Sequence, residues 1–365
     1  MNTSPNQETH APTRRKILPY AVTCLIAAAL PGAALAQAHY DITDLGTLPG
    51  YSCSYTWNVG LNNKGMVAAY SNNAFNPNAF AGDAAFLWKG PGSTEPLPGL
   101  PGSTDTIPST LNDHGQIAGM SGAAVWSDAH AVLWDHDILY DLGTLPGDAS
   151  SDAAIINNNG VIVGDSYNAD LSVFRAVYWD RRRNIHLLPS LPNGNYTAAT
   201  AINDHGQIVG ISGPDSSQFR GVSWLDGRII ELGSLGGDLT TPSYINNSAQ
   251  ICGYATLASG DSHPFLWQNG RIVDLGTLGT DVFGGALAVN DSGLVVGLSG
   301  GSLIDVAASH AVLWAPRKTI DLQTRISPQA GWVLQGATGI NNRGQIIGYG
   351  WHKGELRAFL MTPKD

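Results

Sequence analysis

The sequence predicts an all-β protein, a seven-bladed β-propeller of four-stranded blades, and three observations favour this fold. One phrase recurs seven times with a period of about 45 residues. Each copy has room for four short strands bounded by Gly, Pro, Asn or Asp, and four strands per repeat are typical of a propeller blade. The two ends of the chain are complementary, because a lone strand precedes the first copy and the last copy stops one strand short.

The recurring phrase places an Asn after an aliphatic residue, usually with a Gly three residues later, as in LNDHGQIAG and INNRGQIIG. Between two apolar runs this spacing predicts a tight hairpin between strands a and b, in which Asn bonds the local backbone and Gly takes a positive φ. One copy carries Ser248 and Ala249 instead, so that turn is expected to be the most strained. The seven asparagines are Asn62, Asn112, Asn157, Asn203, Asn246, Asn290 and Asn341.

Two further phrases follow each turn in fixed order: an apolar run that ends in Trp, and DLGTLPG or a variant of it. They predict strands c and d. We expect the repeated Trp residues to pack between blades rather than to contact a ligand. The repeated residues are Trp88, Trp134, Trp179, Trp224, Trp267 and Trp314.

The lone strand from His39 to Leu45 is expected to join the last blade as its outermost member. This pairing would close the ring and leave no exposed sheet edge in a terminal repeat. A β-helix is the alternative repeat architecture, but it would need capping segments that the sequence does not show.

The runs HAVLW and HPFLW, the phrase INDHGQIVG and the phrase DLGTLPG resemble the HAF-type family of extracellular repeats over residues 41–362. The resemblance implies bacterial export and a repeat architecture, but no general activity. The chain departs from the pattern at Ala84, Arg175, Arg220 and Arg357, which stand where the family has its eponymous His.

Residues 1–36 are predicted to be a cleaved export signal, and residues 37–365 a single seven-repeat domain. Arg14, Arg15 and Lys16 precede an apolar run that ends in Ala34-Leu35-Ala36. The string TRRKILP resembles a twin-arginine signal, with an ordinary secretory signal as the alternative. The apolar run is short for a spanning helix, so we expect no membrane insertion of the mature chain and a periplasmic or extracellular location.

Removing the signal leaves 16 basic and 28 acidic residues, a net charge of about −12. This balance argues against nucleic acid and anionic membrane surfaces as partners, since both attract basic patches. No spacing of Cys, His or carboxylate residues indicates a metal or a cofactor. We expect a monomer whose ligand is a glycan or a protein.

The connections from d to a and from b to c vary in length, and in a propeller they share one face. Variable loops on a repeated scaffold are the natural place for recognition, so this face is the predicted binding site. Four Trp residues outside the repeated position are candidate ligand contacts, with a cap over the ring as the alternative. They are Trp57, Trp126, Trp332 and Trp351.

A basic residue that opens most c strands gives a second candidate, a partial ring of donors for an anionic ligand. The alternative is a hydrogen bond to a neighbouring blade, repeated because the blade repeats. These residues are His130, Arg175, Arg220, His263, His310 and Arg357.

No catalytic residue is predicted, because the sequence has no nucleophile elbow, metalloprotease motif, P-loop or dinucleotide fingerprint. The favoured function is an exported binding module that takes a glycan, a surface polymer or a protein on its variable face. Two alternatives stay open: an exported lyase or glycosidase whose carboxylates come from distant loops, and a purely structural secreted repeat.

Overall fold

The computed structural model describes residues 38–56, 58–73, 82–123, 128–300, 309–316 and 318–364. The predicted export signal lies outside them. Across the described residues the chain is almost entirely β-strand, with two short 3₁₀ helices, Leu322–Arg325 and Pro328–Ala330. No helix in this part of the chain has the length and apolar character needed to cross a membrane.

The strands follow the repeat, so that each copy contributes one unit of strands a to d. Unit 1 comprises β2 (Cys53–Tyr55), β3 (Val67–Asn72), β4 (Ala84–Gly90) and β5 (Ser93–Pro96). Unit 2 comprises β6 (Asp105–Leu111), β7 (Ile117–Gly122), β8 (His130–Asp135) and β9 (Ile138–Asp141). Unit 3 comprises β10 (Ser150–Ile156), β11 (Ile162–Tyr167), β12 (Phe174–Trp179) and β13 (Ile185–Leu187). Unit 4 comprises β14 (Tyr196–Ile202), β15 (Ile208–Asp215), β16 (Gln218–Leu225) and β17 (Arg228–Glu231).

The remaining units have the same strand order. Unit 5 comprises β18 (Gly236–Ile245), β19 (Ile251–Leu257), β20 (Ser262–Gln268) and β21 (Arg271–Asp274). Unit 6 comprises β22 (Phe283–Val289), β23 (Val295–Gly300), β24 (His310–Ala315) and β25 (Lys318–Asp321). Unit 7 comprises β26 (Trp332–Ile340), β27 (Ile346–His352) and β28 (Glu355–Pro363), and β1 (Tyr40–Asp44) is its fourth strand.

Each unit is an antiparallel sheet in the order a, b, c, d. Units 3 and 4 are joined into one eight-stranded sheet by a single parallel pair, Phe174 with Tyr196. A similar pair, Ser262 with Phe283, joins units 5 and 6. In unit 7 the first strand of the chain pairs antiparallel with the last, from Tyr40 with Pro363 to Asp44 with Phe359.

The turns between strands a and b have the predicted chemistry. Asn157 accepts hydrogen bonds from the backbone N–H groups two and four residues later, at 3.0 and 2.9 Å, and Gly160 has a φ of 76°. Ala249, where the other turns have Gly, keeps the left-handed conformation with a φ of 57°. This conformation is unfavourable for a residue with a Cβ atom.

The apolar core lies between neighbouring units. The clusters of buried residues each draw on more than one unit, and most of the repeated Trp side chains are at most 6% exposed. The indole of Trp179 donates a hydrogen bond of 2.9 Å to the carbonyl of Leu142 in the preceding unit, and Trp134 bonds Pro98 in the same way at 2.8 Å. The repeated Trp therefore ties each unit to the one before it.

Candidate functional site

The a-to-b turns of the seven units meet at one end of the molecule, here called the Asn face. Each turn Asn donates a side-chain hydrogen bond to the backbone carbonyl of the turn Asn in the next unit, and Asn341 donates at 2.9 Å to Asn62 of unit 1. The residues that follow them form a second series, in which each backbone N–H donates to the next side-chain oxygen. The second series is made by Asn63, Asp113, Asn158, Asp204, Asn247, Asp291 and Asn342.

These two series surround an axial cavity of about 100 Å³ that is bounded by residues of all seven units. Its three carboxylates are Asp113, Asp204 and Asp291, and each accepts a backbone hydrogen bond from the neighbouring turn. Among the described residues no group of three or more His, Cys, Asp or Glu side chains is placed to hold a metal ion. The polar residues of the Asn face are therefore occupied in joining the units.

The predicted basic residues at the start of strand c all have nearby partners. Two His side chains lie close to the Asp that ends strand d of the same unit: His130 Nδ1 is 3.0 Å from Asp141, and His263 Nδ1 is 2.9 Å from Asp274. His310 lies 4.0 Å from Asp321.

The arginines at this position reach toward neighbouring chain segments. Arg175 pairs with Asp148, and Arg220 donates to the backbone carbonyl of Asp238. Arg357 donates to the backbone carbonyl of Ser52. The six residues lie on different units and are not brought together. The His contacts are made within a single unit, and each Arg contact has a different partner.

Two of the four predicted Trp residues, Trp332 and Trp351, lie in the described part of the chain. Trp57 and Trp126 lie outside the described residues. Trp332 is 5% exposed and stacks on His352 with ring centroids 4.4 Å apart. Trp351 is half-buried and packs against a core cluster that includes Tyr55 and Tyr349.

The other end of the molecule, here called the loop face, carries the b-to-c and d-to-a connections. Units 3 and 4 place four aromatic rings in succession there, which we call the aromatic row. Adjacent ring centroids are 4.8, 5.0 and 6.2 Å apart. The first ring is buried and the other three are half-buried, so part of the row is open to solvent. The row consists of Tyr167, Phe174, Tyr196 and Phe219.

The aromatic row ends beside an open groove of about 540 Å³. Phe219, at the end of the row, lines the groove together with Arg220 and the acidic side chains of Glu231 and Asp238. Pro192 and Pro214, from the d-to-a and b-to-c connections of this region, form other parts of its wall. The groove is thus built from the variable segments that the sequence indicated for recognition.

Unit 3 also departs from the repeat at one cross-strand pair of its two inner strands. Asp152 on β10 lies directly opposite Asp165 on β11. In every other unit the pair at this register is uncharged. Those pairs are Tyr55 with Tyr70, Ile107 with Met120, Ala198 with Ile211, Thr241 with Tyr254, Gly285 with Leu298, and Gly336 with Tyr349.

Ser150 and Tyr167 are a cross-strand pair two residues further toward the loop face. Because side chains two residues apart share a face of a strand, Ser150, Asp152, Asp165 and Tyr167 all point to the same side. We call these four residues the acidic quartet. They face unit 4, since Asp165 accepts a hydrogen bond of 2.9 Å from the backbone N–H of Ala199.

Searches for related proteins found structural likeness without sequence likeness. No family model and no curated protein matches the chain, so the resemblance to HAF-type repeats stays an expectation. Oligogalacturonate lyase from Vibrio parahaemolyticus is similar in structure, with 8% identity over 88% of this chain and 93% of that chain and a TM-score of 0.58. The structure of YCF48 bound to D1 peptide is similar over 89% of this chain and 96% of that chain, with 11% identity and a TM-score of 0.51.

TolB from Acinetobacter baumannii is a weaker match, with 10% identity over 88% of this chain and a TM-score of 0.46. The chain spans 65% of the length of that protein. Oligogalacturonate lyase and YCF48, the two matches with TM-scores above 0.5, are β-propeller proteins. The chain folds as a β-propeller.

In this β-propeller the acidic quartet has unusual electrostatics. Desolvation in the interior raises the pKa of Asp152 to about 7. Desolvation and the facing charge of Asp152 raise the pKa of Asp165 well above its usual range, although the N–H of Ala199 opposes the shift. Near neutral pH the two carboxyl groups therefore hold at least one proton between them, as close like charges require.

The tyrosines around the pair remain neutral over the same range. Desolvation and the two carboxyl groups raise the pKa of Tyr167 above its usual range, and the pKa of Tyr196 is also raised, mainly by desolvation. Asp152 and Asp165 are half-buried. The site of this propeller combines aromatic faces, hydroxyl groups and a carboxyl pair of variable protonation.

Sequence analysis placed recognition on the loop face but named none of the residues of the aromatic row or the quartet. A signal was present: eight residues after each turn Asn the seven copies read Tyr, Met, Asp, Ile, Tyr, Leu and Tyr, so Asp165 is the sole carboxylate at its position. Its partner Asp152 carried the same signal, because five residues before the turn Asn units 2 to 7 read Ile, Asp, Ala, Thr, Gly and Gly. That the two Asp residues lie opposite each other depends on the register of β10 with β11.

Proposed function

We propose that the seven units are the blades of a closed seven-bladed propeller. Three observations support closure: the pairing of β1 with β28, and the two series of hydrogen bonds on the Asn face, each of which returns from unit 7 to unit 1. A linear solenoid would have no contact between its first and last repeats.

We further propose that the protein is a binding module that takes its ligand on the loop face, at the aromatic row and the adjoining groove. The aromatic row is the observation that carries this conclusion. Most repeated polar residues are engaged in contacts within or between units, whereas these rings lie at non-repeated positions and keep part of their surface in solvent. Half-exposed rings offer faces on which sugars or side chains can stack.

Binding of residues 37–365 to a glycan array tests this function. The same array is probed with the variant Phe219→Ala, which removes the last ring of the aromatic row. Loss of one stacking ring should weaken binding about tenfold. The matched control is Ile138→Ala, which removes an exposed apolar side chain that is 54% exposed at the Asn-face end of unit 2. Equal binding by all three proteins would contradict the assignment, and binding by none of them would turn the search to protein ligands.

The carboxyl pair favours a second candidate, an enzyme acting on exported polymers. Glycoside hydrolysis uses one protonated and one ionised carboxyl group on either side of the scissile bond, and the raised pKa values of Asp152 and Asp165 favour one proton on this pair near neutral pH. Release of reducing ends or unsaturated products from a panel of polysaccharides is the measurement. The activity must disappear in Asp152→Asn for this candidate to stand.

Export into the periplasm or beyond remains part of the proposal, supported by the apolar, twin-arginine-like segment of residues 1–36. Fractionation of cells that express the full chain, with N-terminal sequencing of the mature form, is the direct test. A chain with Lys in place of Arg14 and Arg15 should stay in the cytoplasm if the twin-arginine route carries it.

A further inference from the structure

The acidic quartet carries a structural cost that packing alone does not explain. Two carboxyl groups directly opposite each other on antiparallel strands repel when both are ionised. Every other unit fills this register with uncharged residues, so the fold does not need the charges. A partner that brings positive charge to the pair would remove the repulsion.

A second observation points to a missing partner. Ser150, on the same face as Asp152, is fully buried, and its hydroxyl oxygen has no hydrogen-bond partner among the described residues. A buried hydroxyl without a partner is uncommon, because leaving it unsatisfied costs about 1–3 kcal/mol. The hydroxyl oxygen and the two carboxyl groups together can accept hydrogen bonds from a group that donates several.

The surroundings of the quartet also favour a cation. Tyr196, Phe174 and Tyr167 present aromatic rings beside the pair, and ring faces attract ammonium and guanidinium groups. No Arg or Lys pairs with Asp152 or Asp165 within the described part of the chain. The mature chain carries a net charge of about −12, which steers cations toward it.

We propose that the acidic quartet binds a primary ammonium or guanidinium group of the ligand. The rest of the same ligand packs on the aromatic row. The proposal rests on the binding function given above and names the chemistry of its ligand. An amine-bearing sugar and a basic side chain share this chemistry. When the cation enters, it replaces the proton that the two carboxyl groups hold, and that proton passes to solvent.

The test is isothermal titration calorimetry of residues 37–365 at pH 7 with two pairs of probes. A glucosamine tetrasaccharide is compared with its N-acetylated form, and a tetralysine peptide with a form acetylated at its N-terminus and at every Lys Nζ. We expect at least one of the two amine probes to bind and its acetylated form to bind at least tenfold more weakly. Titration in buffers of different ionisation enthalpy should show proton release on binding.

The variants Asp165→Asn and Asp152→Asn should each weaken the amine probe at least tenfold. Asn at position 165 keeps an oxygen for the N–H of Ala199, so the fold is expected to persist, and thermal melting checks this. The control is Asp137→Asn in the exposed turn of unit 2. Unchanged affinity in both quartet variants, or no binding of either amine probe, overturns the proposal.

The outcome separates this inference from the binding function itself. If the amine probes fail while a neutral glycan binds and is lost with Phe219→Ala, the binding function stands and the ammonium site is wrong. If the array and the amine probes both fail, the ammonium site is wrong and the search for the ligand of the loop face turns to proteins without a basic contact group.

Discussion

At the scale of single residues, the repeat provides its own comparison. Six copies show what the scaffold requires at each position, and the seventh shows where one unit differs. Asp165 is informative for this reason, whereas a basic residue opens strand c in most units. Of these basic residues, His130 and His263 make the same contact, since each lies about 3 Å from the Asp that ends strand d of its unit.

The carboxyl pair should make stability depend on pH. The pKa of Asp152 and that of Asp165 are both raised above the usual value of 3.8, so the folded chain binds more protons than the unfolded chain between pH 4 and at least pH 7. The contribution of these two groups to the unfolding free energy must therefore fall as pH rises through that range. Tyr167 and Tyr196, which face the pair, stay protonated and do not alter the sign.

The variant Asp165→Asn is expected to be more stable than the parent at pH 8 by about 1 kcal/mol, because it removes the repulsion between the opposed carboxylates. At pH 5, where both carboxyl groups are protonated, the difference should nearly vanish. Urea unfolding at the two pH values measures both quantities. A variant that is destabilised equally at pH 5 and pH 8 would show that the pair is not under repulsion.

The turn asparagines should be costly to remove. Asn157 accepts two backbone hydrogen bonds and donates one of 3.0 Å to Asn203 of the next unit, all in a buried setting. Asn157→Ala leaves buried groups unsatisfied and should lower the unfolding free energy by about 3 kcal/mol. Asn159→Ala, on the exposed side of the same turn, is the control and should stay within about 0.5 kcal/mol. Equal losses in both variants would contradict this assignment.

At the scale of elements, the strands and turns were largely predictable, because Asn, Gly and apolar runs recur in register. The four strands predicted for unit 4 overlap β14, β15, β16 and β17. Their predicted sequences are TAATAIN, GQIVGIS, RGVSW and RIIELG. The aromatic row was not predictable. It depends on which rings of units 3 and 4 meet across a single parallel pair, Phe174 with Tyr196, and no local pattern specifies that contact.

The turn at Ala249 gives a prediction at this scale. Its φ of 57° is costly for Ala and costs Gly nothing. Ala249→Gly should therefore raise the unfolding free energy by about 0.5–1 kcal/mol, after the larger entropy of Gly in the unfolded chain is counted. Gly160→Ala, at a φ of 76° in unit 3, is the converse variant and should be destabilising. Thermal melting of both proteins measures the two changes. A lower melting temperature for Ala249→Gly than for the parent would contradict the prediction that Ala249 is strained.

At the scale of the whole molecule, the complementary ends of the sequence indicated that β1 belongs with the last unit, and β1 pairs with β28. The hydrogen-bond series on the Asn face could not have been derived from a single copy. Each link joins two units, so its existence depends on how the units are arranged around the axis.

A mature chain that begins at Thr47, without His39 to Gly46, should melt several degrees below one that begins at His39. The deletion exposes an edge of β28 and removes the buried side chains of Tyr40 and Leu45. Differential scanning calorimetry of the two proteins measures the loss. Identical melting would favour a solenoid over the closed ring proposed above.

The two hydrogen-bond series of the Asn face bear on how such a gene can change. Nearly identical tandem repeats are prone to gain or lose copies by recombination, and in an open solenoid such events merely lengthen or shorten the protein. Here the side chain of each turn Asn donates to the following unit, and its backbone carbonyl accepts from the preceding unit. The last of these bonds runs from Asn341 of unit 7 to Asn62 of unit 1. In the closed ring proposed above, six or eight copies would have to form every link at a new angle, so a change in copy number is expected to lower the stability of the fold.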